Sequence, residues 1–412
     1  MSAMPQAIEP HYSSDRVRLF HGDCREVMAS FDDASVDAIV TDPPYELKFM
    51  GKGWDGSGIA YDPVVWGEAL RVLKPGGHLL AFGGTRTWHR LAVAIEDAGF
   101  EVRDSIAWMY GSGFPKSLDV SKAIDKAAGV ERQKVPATGG LHKNANLNDD
   151  GWSKIGADDA VMDSPTPATP AAQQWEGWGT ALKPAFEPIV VARKPLIGTV
   201  AENVLRWGTG ALNIDGCRIA TTDALQSLAG SFSFSGSGGA NETGKTIVKR
   251  DAGSGRWPAN VILDESQAAK LDRQSGDRPT SKPGQVIRRR EPADYESESI
   301  GAESRPAGSV MVAYGDTGGA SRFFYVPKAN KRERPNVDGV AHPTVKPLAL
   351  MRYLINLVTP PGGMVLDPFA GSGATIEAAI LEGKHAVGIE LTDEYLPLIR
   401  ERISRQTDGK LL

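Results

Sequence analysis

Cysteine is scarce: Cys24 and Cys217 are the 2 in 412 residues. That leaves no disulfide framework and no zinc-ligand spacing, so reduced, structural thiols and no metal site are expected. No apolar run approaches the roughly 18 residues a membrane span needs. Met1 to Tyr12 lacks the basic-then-apolar pattern of a secretory leader. The expectation is a soluble, cytoplasmic protein without membrane contact. Strong charge of one sign is also missing. A formal net charge of −5 does not advertise nucleic-acid binding, but it does not exclude it, because that footprint is local. There is no clean G-x-G-x-x-G and no Walker lysine, which argues against a dinucleotide or a nucleoside triphosphate. Hydrophobic content of 41% and charged content of 24% are ordinary for a soluble globular protein. The length allows two or three domains at about 150 residues each.

What is present centres on Thr41-Asp42-Pro43-Pro44-Tyr45, directly after the apolar run Val36–Val40. That run reads as a buried strand, and ligands of open α/β sheets bind where strands end. Two prolines fix φ and remove two N–H donors, so their carbonyls can face a cleft as fixed acceptors. Asp42 adds an ionised acceptor and Tyr45 a flat stacking face. A planar ring bearing an exocyclic NH2, such as a nucleobase, suits that set. The same residues also fit an ordinary strand followed by a proline turn.

Earlier in the chain, Val17–Phe20 reads as a strand ending at His21-Gly22-Asp23-Cys24, with a helix from Glu26 to Phe31. Residues 46–61, rich in glycine and aromatics (Phe49, Gly51, Gly53, Trp54), read either as a lid over the site or as a plain surface loop. Pro63 starts a helix, which Lys74-Pro75-Gly76-Gly77 stops. His78–Phe82 is a strand, Trp88–Ala98 a helix and Phe100–Tyr110 a strand. Such alternation implies βαβ units and a parallel sheet. From Gly111 to Trp178 the composition cannot bury a core, apart from one helix near Val120–Ala128. Phe186–Arg193 returns to a strand pattern. Residues 195–335 mix short apolar runs (Ala211–Ile214, Val261–Leu263, Ser309–Tyr314) with glycine- and serine-rich tracts such as Gly230–Gly239. Basic and aromatic residues cluster there: Arg288-Arg289-Arg290, Arg322-Phe323-Phe324-Tyr325, Lys328, Lys331, Arg332 and Arg334. They suit either a polyanion with stacking bases or a solvated loop. Trp207 and Arg256-Trp257-Pro258 fit either surface contacts or core packing.

Near the far end, Met364 to Gly373 reads as strand and glycine loop, followed by a helix from Ala374 to Leu381 and a strand Ala386–Glu390. Glycines allow close approach of backbone to a ligand. Glu390, about 20 residues beyond the loop, is placed to hold a ribose hydroxyl pair. Asp367 beside the loop would repel pyrophosphate but would accept from the amino group of a methionine moiety. A phosphate-free nucleoside cofactor is expected.

These residues resemble a known family, the β-class amino-directed DNA methyltransferases that use S-adenosyl-L-methionine. Asp42-Pro43-Pro44-Tyr45 is similar to their catalytic motif and Asp367-Pro368-Phe369-Ala370-Gly371-Ser372-Gly373 to their cofactor loop. His342-Pro343-Thr344-Val345-Lys346-Pro347 resembles the segment before the helix under the methionine part, and Gly22-Asp23-Cys24 the strand end that contacts the adenine. The resemblance covers roughly the first 115 and the last 75 residues. It implies a Rossmann-like α/β sheet with helices on both faces, interrupted by an irregular target-recognition insertion. The implied divisions are a catalytic core over 15–115, a flexible insertion over 116–181, a core strand over 182–195, a target-recognition region over 196–339 and a second core part over 340–408. Asp42, Pro43, Pro44 and Tyr45 are the implied catalytic residues. Asp23, Cys24, His342, Thr344, Lys346, Pro347, Asp367, Pro368, Phe369, Gly371, Ser372, Gly373, Glu390 and Leu391 are the implied cofactor residues. The expected substrate is double-stranded DNA, methylated at adenine N6. The rivals are cytosine N4, an RNA base or protein glutamine, and a non-catalytic DNA-binding protein. A homodimer and a cognate restriction endonuclease are further implications of the resemblance.

Overall fold

Strands and helices take turns along the chain because apolar residues alternate in short runs bounded by glycine, proline and capping residues. The computed structural model describes residues 8–47, 53–113, 117–136, 161–220, 255–279, 286–288, 310–312, 317–327, 335–337 and 339–407. Nine strands form one sheet: β1 Tyr12–Ser13, β2 Val17–His21, β3 Val36–Thr41, β4 Leu73–Phe82, β5 Glu101–Met109, β6 Phe186–Arg193, β7 Val261–Leu263, β8 Met364–Asp367 and β9 His385–Glu390. The helices are α1 Cys24–Ala29, α2 Pro63–Val72, α3 Trp88–Asp97, α4 Val120–Ala127, α5 Pro170–Gln174, α6 Val200–Trp207, α7 Glu265–Ser275, α8 Leu348–Val358, α9 Ala374–Leu381 and α10 Leu396–Thr407.

The strand order is β1-β2-β9-β8-β3-β4-β6-β5-β7. Strands β2, β9, β8, β3 and β4 run parallel, while β6 is antiparallel to both β4 and β5. From β8 the chain winds through α9 to β9 on one side, and from β3 through α2 to β4 on the other. The junction of β8 and β3 is therefore the switch point, where the carboxyl ends of two neighbouring strands open a crevice.

Each central strand feeds two cores. Ala38, Val40, Leu80 and Phe82 point to the side of α8, α9 and α10, while Ile39, Leu79 and Ala81 point to that of α1, α2 and α3. Every residue of β3 is buried, and each buried valine or isoleucine contributes about 1.5–3 kcal/mol. This is the Rossmann-like doubly wound class with helices on both faces. Among the described residues no helix is long and apolar enough to cross a membrane.

Local signals set the helix starts. Asp62 accepts from the amide of Val64, with Pro63 at the first position of α2. Asp23 accepts from the amide of Arg25, which starts α1 at Cys24 rather than Glu26. One strand boundary departs from the sequence reading. Lys74-Pro75-Gly76-Gly77 does not separate α2 from a strand at His78; it lies inside β4, which begins at Leu73. Two backbone bonds hold it there, from the Gly76 amide to the Lys194 carbonyl (3.1 Å) and from the Lys194 amide to the Gly77 carbonyl (2.9 Å). The irregularity shows as a register shift against β3 between Val36 and Ala38.

The chain divides into two compact units, residues 112–185 and the remainder. Composition argued against a core in the smaller unit, yet its described residues contain a polar one. Asp125 accepts from Arg132 (2.7 Å) and from the amides of Ala168 and Thr169, with Ala172 buried beside this network. Hydrogen bonding supplies what apolar area does not. Phe49, Gly51, the Gly230–Gly239 tract, Arg289, Arg290, Lys328, Lys331, Arg332 and Arg334 lie outside the described residues.

Candidate active site

The crevice starts at Thr41, the last residue of β3. Its hydroxyl donates to Asp367 Oδ1 on β8 at 2.7 Å, tying the two strand ends together. Asp367 also accepts from the amide of Phe369 at 3.1 Å. Burial pushes its carboxyl up to about 6, with hydrogen bonds from Thr375 and Thr41 offsetting part of the rise.

The glycine loop follows. Gly371 has φ +52°, and a Cβ there would lie 3.2 Å from the ring of His342. Its amide donates to Glu390 at 2.7 Å, as does that of Thr392. Burial raises the Glu390 carboxyl, and those two amides offset it in part. The Gly22 amide donates to the Glu390 carbonyl (3.1 Å), which brings Asp23 and Cys24 to the same edge. Asp23 itself is held by Arg25 at 2.6 Å, and burial pushes the Cys24 thiol up to about 12. Pro368, Ser372 and Gly373 are buried, and the Phe369 ring packs against Trp66. Pro347 precedes α8, and its carbonyl accepts from the Met351 amide. Thr344 and Leu391 are exposed, although the Leu391 carbonyl lies 3.2 Å from His21 Nε2. Two buried carboxylates at strand ends around a close-approach glycine fit a positively charged, phosphate-free nucleoside. The same carboxylates would repel a pyrophosphate.

On the β3 side, Asp42 Oδ2 accepts from Lys346 Nζ at 2.7 Å. Its other oxygen, Oδ1, is buried and has no hydrogen-bond partner among the described residues. The Tyr45 hydroxyl donates to Glu187 Oε2 at 2.9 Å and accepts from Lys346 Nζ at 3.1 Å. The Tyr45 carbonyl accepts from the Thr87 hydroxyl at 2.9 Å. Pro43 is buried and Pro44 half-buried. The structure therefore seats Lys346 against Asp42 and Tyr45, whereas the sequence reading grouped it with the cofactor residues. Burial opposes the Lys346 charge, but Asp42 and Glu187 overcome that and raise its pKa.

The sequence reading missed Glu187. A charged residue near the start of the otherwise apolar strand β6 was its one signal. Glu187 pairs in register with Trp108 on β5, and Phe82, Trp108 and Tyr110 gather beside it as an aromatic wall. The Trp108 indole nitrogen is buried without a partner among the described residues. Of the expected basic and aromatic cluster, the Arg322 guanidinium lies 4.4 Å from the Phe323 ring centre, and the Arg256 guanidinium, from outside that cluster, lies 5.2 Å from it. Trp257 is 65% exposed under Arg218, so it is a surface residue.

A doubly wound sheet with a carboxylate-flanked glycine loop on one side of its switch point and an aspartate-proline-proline-tyrosine turn on the other defines a nucleoside-dependent group-transfer class. A family model of DNA methylases, N6_N4_Mtase, matches residues 36–401, and the chain belongs to that family. It is similar to the type II methyltransferase M.HindIII of Haemophilus influenzae, 23% identical over 326 residues, covering 78% of this chain and 62% of that one. The DNA adenine methyltransferase YhdJ of Escherichia coli is 45% identical over 62 residues, 15% of this chain and 21% of that one. The chain thus covers less than two thirds of the length of either relative. Among solved structures, the cytosine-N4-specific PvuII DNA methyltransferase aligns with a TM-score of 0.44 at 13% identity, over 98% of this chain and 94% of that one. The M1.HpyAVI–SAM complex aligns with a TM-score of 0.41 at 16% identity, over 94% and 98%.

Proposed function

We propose that this protein methylates the exocyclic amine of a base in double-stranded DNA, and that the base is adenine, at N6. The observation that carries the reading is Asp42: one carboxylate oxygen is held by Lys346, and the other is a buried acceptor with no partner among the described residues. A buried acceptor of this kind favours a donor that arrives with the substrate. An NH2 group brings two hydrogens, one for Asp42 Oδ1 and one for the Pro43 carbonyl. Those bonds favour a tetrahedral nitrogen with a localised lone pair. Tyr45 stacks on the base, which has left the duplex to reach the crevice.

S-Adenosyl-L-methionine, when bound, supplies a sulfonium methyl: the amine nitrogen forms the new C–N bond as the C–S bond breaks and leaves its electron pair on sulfur. Asp367, Pro368, Phe369, Gly371, Ser372, Gly373, His342, Thr344 and Pro347 hold the methionine half. Asp23, Cys24, Glu390 and Leu391 hold the adenosine half, with Glu390 on the ribose hydroxyls. Positioning carries the rate. The proton leaves after transfer, when the nitrogen has become acidic, so no strong base is required. Adenine is supported by the aspartate at the first position of the tetrapeptide and by the likeness to a relative named a DNA adenine methyltransferase. The reading places the enzyme in the cytoplasm, as a homodimer working beside a cognate restriction endonuclease. Sedimentation velocity reads the first partner and co-purification the second.

The test is methyl transfer from labelled S-adenosyl-L-methionine to duplex DNA, with mass spectrometry of the digested nucleosides. N6-methyldeoxyadenosine is the expected product. N4-methyldeoxycytidine would keep the mechanism and change the base. Label in RNA or protein, or cofactor binding with no transfer, would overturn the reading.

A further inference from the structure

Lys346 makes three polar contacts that join segments far apart in the chain. Its ammonium lies 2.7 Å from Asp42 Oδ2, 3.1 Å from the Tyr45 hydroxyl and 3.2 Å from Glu187 Oε2. An ammonium has three hydrogens to donate, so these oxygens use all of them. The Lys346 side chain is 8% exposed and sits over the Tyr45 and Phe82 rings, 5.2 and 4.9 Å from their centres. The Tyr45 hydroxyl donates onward to Glu187, which closes the circuit. Resting on the methyl-transfer reading above, we propose that Lys346 and Glu187 are positioning residues that fix the orientation and the charge of Asp42.

First, Asp42 must present one particular oxygen to the incoming amine. Lys346 occupies Oδ2 and leaves Oδ1 as the acceptor. Glu187 holds the Tyr45 ring at the same time, so the stacking face and the acceptor are set by one network. Second, Asp42 must be ionised in order to accept. Two carboxylates in one low-dielectric site repel, and one of them would take a proton. A single ammonium lies between them, 2.7 Å from Asp42 Oδ2 and 3.2 Å from Glu187 Oε2, and offsets that repulsion. Among the described residues, the other titratable groups facing this cluster are Tyr45 itself, Tyr110 at the end of β5, Asp367 at the end of β8 and His342 on the Lys346 segment. Burial raises Tyr110 to about 12, so it stays neutral at working pH. Asp367 acts on cofactor binding, so its titration is removed by working at saturating cofactor.

The two struts have opposite electrostatic signs, which makes the idea testable against simple damage to the fold. The experiment measures kcat against pH at saturating S-adenosyl-L-methionine and DNA for the wild type, Lys346→Met, Lys346→Arg and Glu187→Gln, with the cofactor Kd measured alongside. Lys346→Met is expected to lower kcat about 100-fold and to move the acid limb up by about 1–2 pH units. Lys346→Arg keeps the charge and leaves the limb in place. Glu187→Gln removes a competing carboxylate, so it lowers kcat and moves the limb down. Cofactor Kd stays unchanged in all three. An acid limb that does not move in Lys346→Met, or that moves up in Glu187→Gln, overturns the proposal whatever the rate. If Lys346→Met does not fold, the direction of the Glu187→Gln shift alone decides. A wild type that methylates no DNA sinks the underlying reading instead, so the two failures are distinct.

Discussion

At the residue scale the site is a balance between carboxylates that must stay charged and a crevice that disfavours charge. Asp42 is paired with the Lys346 ammonium, whereas Asp367, among the described residues, is held by neutral donors, the Thr41 hydroxyl and the Phe369 amide. Asp42→Ala should therefore lower methyl transfer by about 100- to 1,000-fold, with the cofactor Kd, read by calorimetry, unchanged; an undiminished rate would remove Asp42 from the mechanism. Asp367 gives a stability test. Burial raises its carboxyl from 3.8 to about 6, so between those values the folded protein holds a proton that the unfolded chain has released. Stability from this group falls as pH rises through that window, and above it the buried charge costs up to about 3 kcal/mol. Asp367→Asn should raise the thermal midpoint at pH 7.5 more than at pH 4.5 while weakening cofactor binding. Equal shifts at both pH values would contradict the assignment. Asp42, Tyr45, Asp367 and Glu390 were legible in sequence because each sits within a few residues of a strand end, a local signal. The partnership of Lys346 with Asp42 was not, since no local pattern links residues 304 positions apart.

At the element scale the informative piece is β4. The sequence reading treats Lys74-Pro75-Gly76-Gly77 as a helix stop, and the helix does stop, but the four residues continue into the strand, where Gly76 and Gly77 bond to Lys194 just past β6. The cost of that geometry falls on Gly76. Its φ is +76°, and a Cβ would stand 2.4 Å from Asn203 Nδ2, a group that donates to the carbonyls of Pro75 and Thr209. Gly76→Ala should lower the unfolding free energy by about 2 kcal/mol or more, measured by urea titration. A neutral result would mean that the close packing of α6 on β4 is not required. The helices gave better signals: Asp62 before Pro63 and Asp119 before Val120 are caps written in a few adjacent residues. The apolar run of β6 marks it as a strand, but its antiparallel place between β4 and β5 depends on partners that the run does not name.

At the scale of the whole molecule, chain order and spatial order diverge. The tetrapeptide lies near the start and the glycine loop near the end, yet Thr41 and Asp367 are hydrogen-bonded neighbours, because β3 and β8 lie side by side. The unit at 112–185 has a polar core of its own around Asp125 and Arg132. Asp125→Ala leaves Arg132 buried without its carboxylate, so hydrogen exchange should quicken across α4 and α5 while β3, β4 and β8 keep their protection. Loss of protection in the sheet as well would show that the two units open together. The chain by itself determined the alternation of strands and helices, the two carboxylate-bearing strand ends and the family they resemble. Periodicity, capping and glycine loops act over a few residues and so can be read from them. Only the tertiary structure decided that the Lys346 ammonium lies against Asp42 and Tyr45, that Glu187 accepts from the Tyr45 hydroxyl, and that a proline-glycine break lies inside a strand. Those outcomes depend on which strands become neighbours, and that is set by the burial of two helical layers on one sheet, a condition no short stretch contains.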